Sequence, residues 1–422
     1  MDHFKHHRNV IFEGEYTRFT FPSGASLIII ICIVHDAPER PVNVNITYVP
    51  PGDGPIWQRD FWPDELAVQP PSAKSGLILS AKFAGDADPV SGYVSPSNGV
   101  VAKINAAGGK FSFHDSSGIH FEASIHSHTP WSRTNISPEG LFISLPLPLH
   151  WHVLSPYSPS SATLRLPSDY TSSLGDALPA ELVSPVDCVA HFEKNWAKGF
   201  PEAHVWVQGH RLPNDVPKTA TKLPPQPKDQ TQPHLLTIAG GPIMGTEAYL
   251  VGYRNSMKNI SLDFRPPFTL SVAPMFWSIL DRAPGFISQA IGDHAALDRL
   301  CQAALSPFTS VKRDWTRRKM DFSFVDPIGG WNLVVEASAL KDATKDSRAF
   351  YNLAAPYKAG FKDKWMAQCL RAKAFVKLYR RRWGFGAGYW PWTWELVCED
   401  FFENVGFEFG GEYYPNRGIG ER

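Results

Sequence analysis

In the stretch Glu193-Lys194-Asn195-Trp196-Ala197-Lys198-Gly199-Phe200-Pro201-Glu202-Ala203-His204-Val205-Trp206-Val207-Gln208, the two-residue period of a β-strand puts His204, Trp206 and Gln208 on one face and Val205 and Val207 on the other. The valine face suits a core. A face bearing an imidazole, an indole and an amide suits a cavity wall, or an edge strand with a Trp laid flat against solvent. In a barrel wide enough to hold a ligand, that face is expected to look into the lumen.

The same β reading extends outward in both directions. Phe12 to Phe21 and Ala25 to Val34 flank a Pro22-Ser23-Gly24 turn and predict a hairpin. Further strands are expected at 42–49, 76–83, 100–104, 110–114 and 119–125, and again at 235–238, 248–254, 261–264, 319–325, 331–338, 372–379, 393–400 and 407–413, with turn-forming residues between most of them. Two Pro-rich stretches interrupt the pattern: 155–185, taken as the domain boundary, and the loop 213–233. Residues 285–305 place Ile287, Ile291, Leu297, Leu300 and Leu305 at helical spacing, which predicts one inserted amphipathic helix. The chain is therefore mainly β, with domains at 1–185 and 186–422.

Composition agrees and narrows the function. Across 422 residues, 41 Lys plus Arg balance 41 Asp plus Glu, which disfavours nucleic acid as a partner. The 14 Trp, 13 Tyr and 27 Phe, together with 37 Pro and 32 Gly, fit many short strands and many corners. Cys32, Cys188, Cys301, Cys369 and Cys398 form no CxxC pair, so neither a disulfide framework nor a zinc motif is expected. The longest apolar run, Ala25 to Val34, is about half a membrane span and reads as a strand buried on both faces. A soluble cytoplasmic monomer or homodimer is expected, with peripheral membrane or lipid-body contact left open. The segment Arg380 to Trp394 mixes arginines with aromatics and reads as a hairpin closing one barrel end, ahead of a membrane-interface alternative.

The block at 193–208 resembles the Glu-Lys-Asn-Trp, Gly, Phe-Pro, Trp-Val-Gln signature of the tocopherol cyclase family. These are two-domain lipocalin-like proteins related to carotenoid hydratases and lipocalin-like Diels-Alderases. Phe12-Glu13-Gly14, His150-Trp151-His152, Ala239-Gly240-Gly241 and Phe407 to Gly411 resemble further family segments in the same order. Glu15 and His204 stand where the family has Trp. The resemblance implies two lipocalin-like antiparallel β-barrels and a cofactor-independent cyclase or isomerase that closes a ring on a hydrophobic prenylated, terpenoid or polyene substrate. Proton-initiated closure needs an acid, aromatic faces for a cation and a dry cavity. A pericyclase that confines a polyene and a non-catalytic binder of lipophilic metabolites are the alternatives.

Glu13 and Glu15 share a strand face with Thr17. Facing a lumen, desolvation and mutual repulsion would keep one of them protonated at neutral pH; facing water, neither would be perturbed. His204 is the second acid candidate, and Glu247 or Asp263 the third. Trp196 and Trp206 are expected to line the cavity, at ~0.5 to 2 kcal/mol per ring over a desolvated cation. Gln208 and Asn195 would orient a substrate oxygen, and Lys194 would pair with an acidic neighbour. The His126/His128 and His150/His152 pairs could each turn two rings to one side, but no third ligand at a recognisable spacing accompanies them, and no metal or cofactor is expected.

Overall fold

The computed structural model describes residues 6–211, 233–271, 306–339, 350–383 and 392–413, apart from gaps at 8, 64–65, 73–75, 83–98, 106–107, 133–136, 146, 148, 176, 244–245 and 315–316. The expected loop at 213–233, except His234's neighbour Pro233, and the expected helix at 285–305 lie outside the described residues. Two compact units emerge: Met1–Phe200 with Leu353–Lys364, and Pro201–Asn352 with Trp365–Arg422.

The first unit is built on β1 (Phe12–Thr20), β2 (Ser26–Val34), β3 (Val42–Val49), β4 (Trp57–Phe61), β5 (Ala67–Ser72), β6 (Gly76–Lys82), β7 (Gly99–Asn105), β8 (Gly108–His114), β9 (His120–Ile125), β10 (Leu149–Arg165) and β11 (Val186–Ala197), with a short helix α1 (Ser168–Ser173). These strands form one antiparallel sheet in the order β4-β3-β2-β1-β11-β10-β9-β8-β7-β6-β5. The sheet curls on itself. Phe61 on β4 and Phe113 on β8 are seven strands apart in that order, ~33 Å along a flat sheet, yet their rings lie 5.2 Å apart. Phe19, Phe111, Phe121 and Phe192 fill the interior with edge-to-face contacts.

A second sheet repeats the plan with β12 (Ala203–Arg211), β13 (His234–Ile243), β14 (Thr246–Asn255), β15 (Ile260–Phe264), β16 (Leu270–Ser271), β17 (Thr309–Asp314), β18 (Lys319–Asp326), β19 (Trp331–Ser338), β20 (Tyr351–Tyr357), β21 (Gly360–Trp383) and β22 (Trp392–Gly411), of which Leu353–Lys364 groups with the first unit and the rest with the second. Its order is β15-β14-β13-β12-β22-β21-β19-β18-β17, with β16 on β14 and β20 on β21. Phe264 on β15 and Phe324 on β18 meet at 6.4 Å across the curl. The mainly β, two-barrel architecture expected from the sequence is the one observed. Among the described residues no helix is long and apolar enough to cross a membrane.

The domain boundary differs from the expected one. Residues 155–185 do not link domains: β10 runs through the first part, and β11, placed in the second domain on sequence, pairs with both β1 and β10. Two register shifts, between Val153 and Ser155 and between Ser155 and Ser158, accommodate Pro156, which has no N–H to donate to the ladder. Ser155 Oγ lies 2.8 Å from Ser158 Oγ and supplies side-chain hydrogen bonding within the irregularity. The chain passes to the second unit only after Phe200. At the other expected special segment, Arg381 pairs with Trp394 and Trp383 with Trp392, so its two flanks form a hairpin; the tip, 384–391, lies outside the described residues.

Candidate active site

Register across β1, β11 and β10 places Glu13, Trp196 and His150 in one row, and Glu15, Lys194 and His152 in the next. Residues directly opposite in an antiparallel pair point to the same face. Phe19 and Phe192 continue that face into the aromatic interior, so Glu13 and Glu15 look inward rather than to water. The opposite face carries Phe12, Cys32, Val34 and Ala197, a separate apolar cluster, so this part of the sheet is buried on both sides. Asn195 lies on that opposite face, away from Trp196. A Cβ on Gly14 would come within 2.8 Å of Asn195 Oδ1, so glycine makes room for the Asn195 side chain.

Lys194 is 1% exposed and Glu13 4%, a depth at which isolated charges are not tolerated. The ammonium makes a close ion pair with Glu13 Oε1 and lies 3.2 Å from Glu15 Oε1. Glu13 also accepts a 2.7 Å hydrogen bond from the His7 backbone N–H, and the His6 Nδ1 lies 2.7 Å from its Oε2. One cation therefore serves two carboxylates, and the two are driven apart. Burial opposes ionisation of Glu13, but the His6 and His7 hydrogen bonds and the Lys194 charge outweigh it and hold the carboxyl well below the usual range. Burial, reinforced by the Glu13 charge and only partly offset by Lys194, pushes Glu15 up to about 7. Lys194 itself is raised: burial lowers it, and the two glutamates more than compensate.

A cavity of about 10 Å³ adjoins this trio, with Ile31, Ile33, Leu66, Val68 and Leu79 as its apolar wall; that is room for about one water molecule. Trp196, 5% exposed, is packed among imidazoles: His7 at 4.0 Å and 7°, His150 at 5.2 Å and 19°, and His152 edge-on at 4.6 Å. The His150 Nδ1 lies 2.9 Å from Glu139 Oε2, and Glu139, 1% exposed, also accepts from the Trp151 backbone N–H. On the far face, Glu193 Oε2 accepts from Trp151 Nε1 at 2.9 Å. Sequence reasoning assigned no role to Glu139, His6 or His7. They reach the site from loops, where no periodicity marks which way a side chain turns.

The remaining candidates belong to the second unit. Val205 and Val207 pack into its core as their period requires, so His204, Trp206 and Gln208 turn away from that barrel's interior rather than into it. Aliphatic and aromatic side chains fill the lumen that the polar face was expected to line. His204 Nε2 lies 2.8 Å from Glu408 Oε1, whose other oxygen accepts from Gln368 Nε2 at 2.8 Å; Tyr351 donates in turn to Gln368. Gly410 sits opposite His204, and a Cβ there would fall 2.4 Å from the ring. Glu247 is buried among Tyr249, Tyr413 and Arg313, and Asp263 pairs with Arg254 at 2.6 Å and Arg265 at 2.7 Å. Asp400 gathers Arg211, Tyr253, His234 at 3.0 Å and Asn255 at 2.8 Å. Although burial works against it, the His234, Tyr253 and Arg211 contacts hold Asp400 below the usual carboxylate range. Each carboxylate in these clusters is paired within its own barrel, and the clusters read as anchors of that barrel. The structure thus brings together Glu13, Glu15 and Lys194, with Trp196 alongside, and places His204, Trp206 and Gln208 on another sheet. Of the histidine pairs, His128 Nδ1 lies 2.9 Å from Ser158 Oγ while His126 is exposed, and His150 and His152 both pack on Trp196.

No protein-family model matches this chain. No curated protein matches it in sequence. Among solved structures it is similar to CghA, at 9% identity over 95% of this chain and 88% of that one with a TM-score of 0.46. It is also similar to kievitone hydratase from Nectria haematococca, at 7% identity over 98% and 92% with a TM-score of 0.41. Likenesses this distant assign no activity, and the fold rests on the strand pairings above.

Proposed function

We propose that this chain is a cofactor-independent acid–base enzyme that isomerises or cyclises a hydrophobic prenylated, terpenoid or polyene molecule, with Glu15 as proton donor. The observation that carries this reading is the inward-facing trio. Glu15 keeps its proton up to about pH 7 beside a wall of Ile31, Ile33, Leu66 and Val68, while Glu13 and Lys194 form a neutral pair that stays ionised. Two carboxyls pushed apart by their surroundings are what assign acid and base roles in a protein interior.

In the proposed step the Glu15 O–H adds its proton to an alkene carbon. The cation is captured by a second alkene or a hydroxyl of the same molecule, which closes the ring. Capture by a hydroxyl releases the O–H proton, whereas capture by an alkene forms a new carbon–carbon bond and a new cation, which loses a proton from an adjacent carbon to give an alkene. Either proton returns to the Glu15 carboxylate, so the reaction is an isomerisation with no net redox change. Lys194, 3.2 Å away, steadies the carboxylate while the proton is gone. A raised pKa keeps the proton available and also makes the acid weaker. The site is thereby suited to conjugated polyenes, whose cations are delocalised, over isolated alkenes. Ligand pockets for such molecules are usually ~300 Å³ or more, so this reading requires the apolar wall to part on binding.

The test is turnover of prenylated and polyene candidates in deuterated water. Deuterium on a product carbon is expected from the wild type, with a loss of ~100-fold or more in Glu15→Gln. Product without deuterium would instead support confinement of a pericyclic reaction. An unchanged rate in Glu15→Gln would remove Glu15 from the chemistry.

A further inference from the structure

A second constellation lies far along the first sheet from the Glu15 site, on the β8–β9 hairpin. His114 and His120 are directly opposite each other. The neighbouring pair is hydrogen-bonded, Asp115 N–H to Ile119 O at 3.1 Å. His114 and His120 therefore occupy the non-hydrogen-bonded position, where Cα atoms approach to ~4.5 Å and side chains are closest. Their ring centroids are 4.4 Å apart. Glu122, two residues beyond His120, points to the same face. Its Oε1 lies 3.7 Å from His114 Nε2 and 3.9 Å from His120 Nε2, and one donor atom from each of the three residues falls within 4.8 Å of the others.

We infer that His114, His120 and Glu122 form a binding site for one divalent transition-metal ion of the zinc class. The spacing supports this. Nitrogen and oxygen donors at ~2.0 to 2.2 Å from a tetrahedral ion stand ~3.4 Å from one another. The two imidazole-to-carboxylate separations exceed that by a few tenths of an ångström and are too long for hydrogen bonds. A small rotation of the exposed Glu122 side chain brings its oxygen within ligand spacing of the imidazoles, whose own donor atoms lie within 4.8 Å of each other. Two imidazoles and one carboxylate favour zinc-like ions over calcium or magnesium, which prefer all-oxygen shells. The backbone is held for the purpose: Phe111, Phe113 and Phe121 anchor the inward side of both strands in the core. At the turn, Arg59 Nη1 bonds Asp115 Oδ2 at 3.0 Å and also Ser117 Oγ. Gly99, opposite His114 on β7, adds no side chain on that flank. Arg165 stands opposite His120 on β10 and is exposed; its charge weakens affinity but is screened by solvent.

The test uses the full chain, free of any polyhistidine tag and stripped with a chelator, titrated with Zn²⁺ by calorimetry and with Co²⁺ by visible absorption. One equivalent is expected, with the intense absorption of a tetrahedral cobalt site. Glu122→Gln should weaken binding more than about tenfold, since even outer-shell changes cost that much, and His114→Gln with His120→Gln should abolish it. All three side chains are on the solvent face, and circular dichroism checks that the variants fold. His6, Glu13 and His35 also bring one donor atom each within 4.8 Å of one another, so His6→Gln with His35→Gln is the control and should leave this binding event intact. Equal affinity in wild type and the His114/His120 double variant, or no binding at millimolar Zn²⁺, would overturn the inference.

Discussion

Replacing Glu15 with Gln should make the folded protein more stable at neutral pH, and the gain should depend on pH in a defined window. Gln keeps the size and polarity of a protonated carboxyl but cannot ionise. Glu15 is moved from an ordinary 4.5 to about 7 in the folded state, chiefly by burial. The folded state therefore holds this proton more tightly than the unfolded chain, and the stabilisation from doing so is complete below about pH 4.5 and lost as pH rises through 7. At about 1.4 kcal/mol per tenfold change in acidity, the loss across that window is on the order of 3 kcal/mol. Lys194 remains paired with Glu13 in the variant, so no buried ammonium is left unpartnered. The assay is urea unfolding of wild type and Glu15→Gln at pH 5 and at pH 8, compared through midpoints at a common slope. The variant should gain on the order of 3 kcal/mol relative to wild type between the two conditions. Parallel behaviour, with a difference that stays constant over the window, would mean that Glu15 is ionised in the folded protein, and the proton-donor reading would fail with it.

Other substitutions probe the same physics. Lys194→Met leaves the buried Glu13 charge without its ammonium and should cost ~3 to 5 kcal/mol in urea at pH 8; the cost should shrink toward pH 4, where the carboxyls can neutralise themselves. Asp400→Asn removes the charge on which Arg211, His234, Tyr253 and Asn255 converge, and calorimetric unfolding should register ~3 to 5 kcal/mol. His204→Ala gives up the bond to Glu408 on a partly covered face. It should cost ~1 to 2 kcal/mol by urea unfolding and leave turnover of a Glu15-dependent substrate unchanged.

Alternation along single strands was enough to read much of the site. The period of two put Glu13, Glu15 and Thr17 on one face and separated His204, Trp206 and Gln208 from Val205 and Val207, and the structure keeps both groupings. Alternation says nothing about which face is inside, because that depends on what the neighbouring strands bring. Here Phe192 arrives opposite Thr17 and Lys194 opposite Glu15 from about 180 residues away, and the acidic face of β1 turns inward. On β12 the valines meet Phe407 and Phe409 from β22, so the polar face turns outward. The placement of 155–185 failed for a related reason: serines and prolines mark a linker in isolation, whereas paired neighbours and register shifts can carry them within a strand.

By itself, then, the chain's aromatic, Pro- and Gly-rich composition and two-residue periodicity determined a mainly β architecture in two parts and a short set of acidic candidates on β1. Tertiary structure alone decided that β11 pairs with β1 and β10 of the first sheet rather than opening the second, that one ammonium serves two buried carboxylates, and that burial pushes Glu15 up while Glu13 is held below the usual carboxylate range. Local sequence specifies how side chains alternate along a strand. Solvent access and charge pairing, which set acidity, come from strands that meet only when the sheet curls.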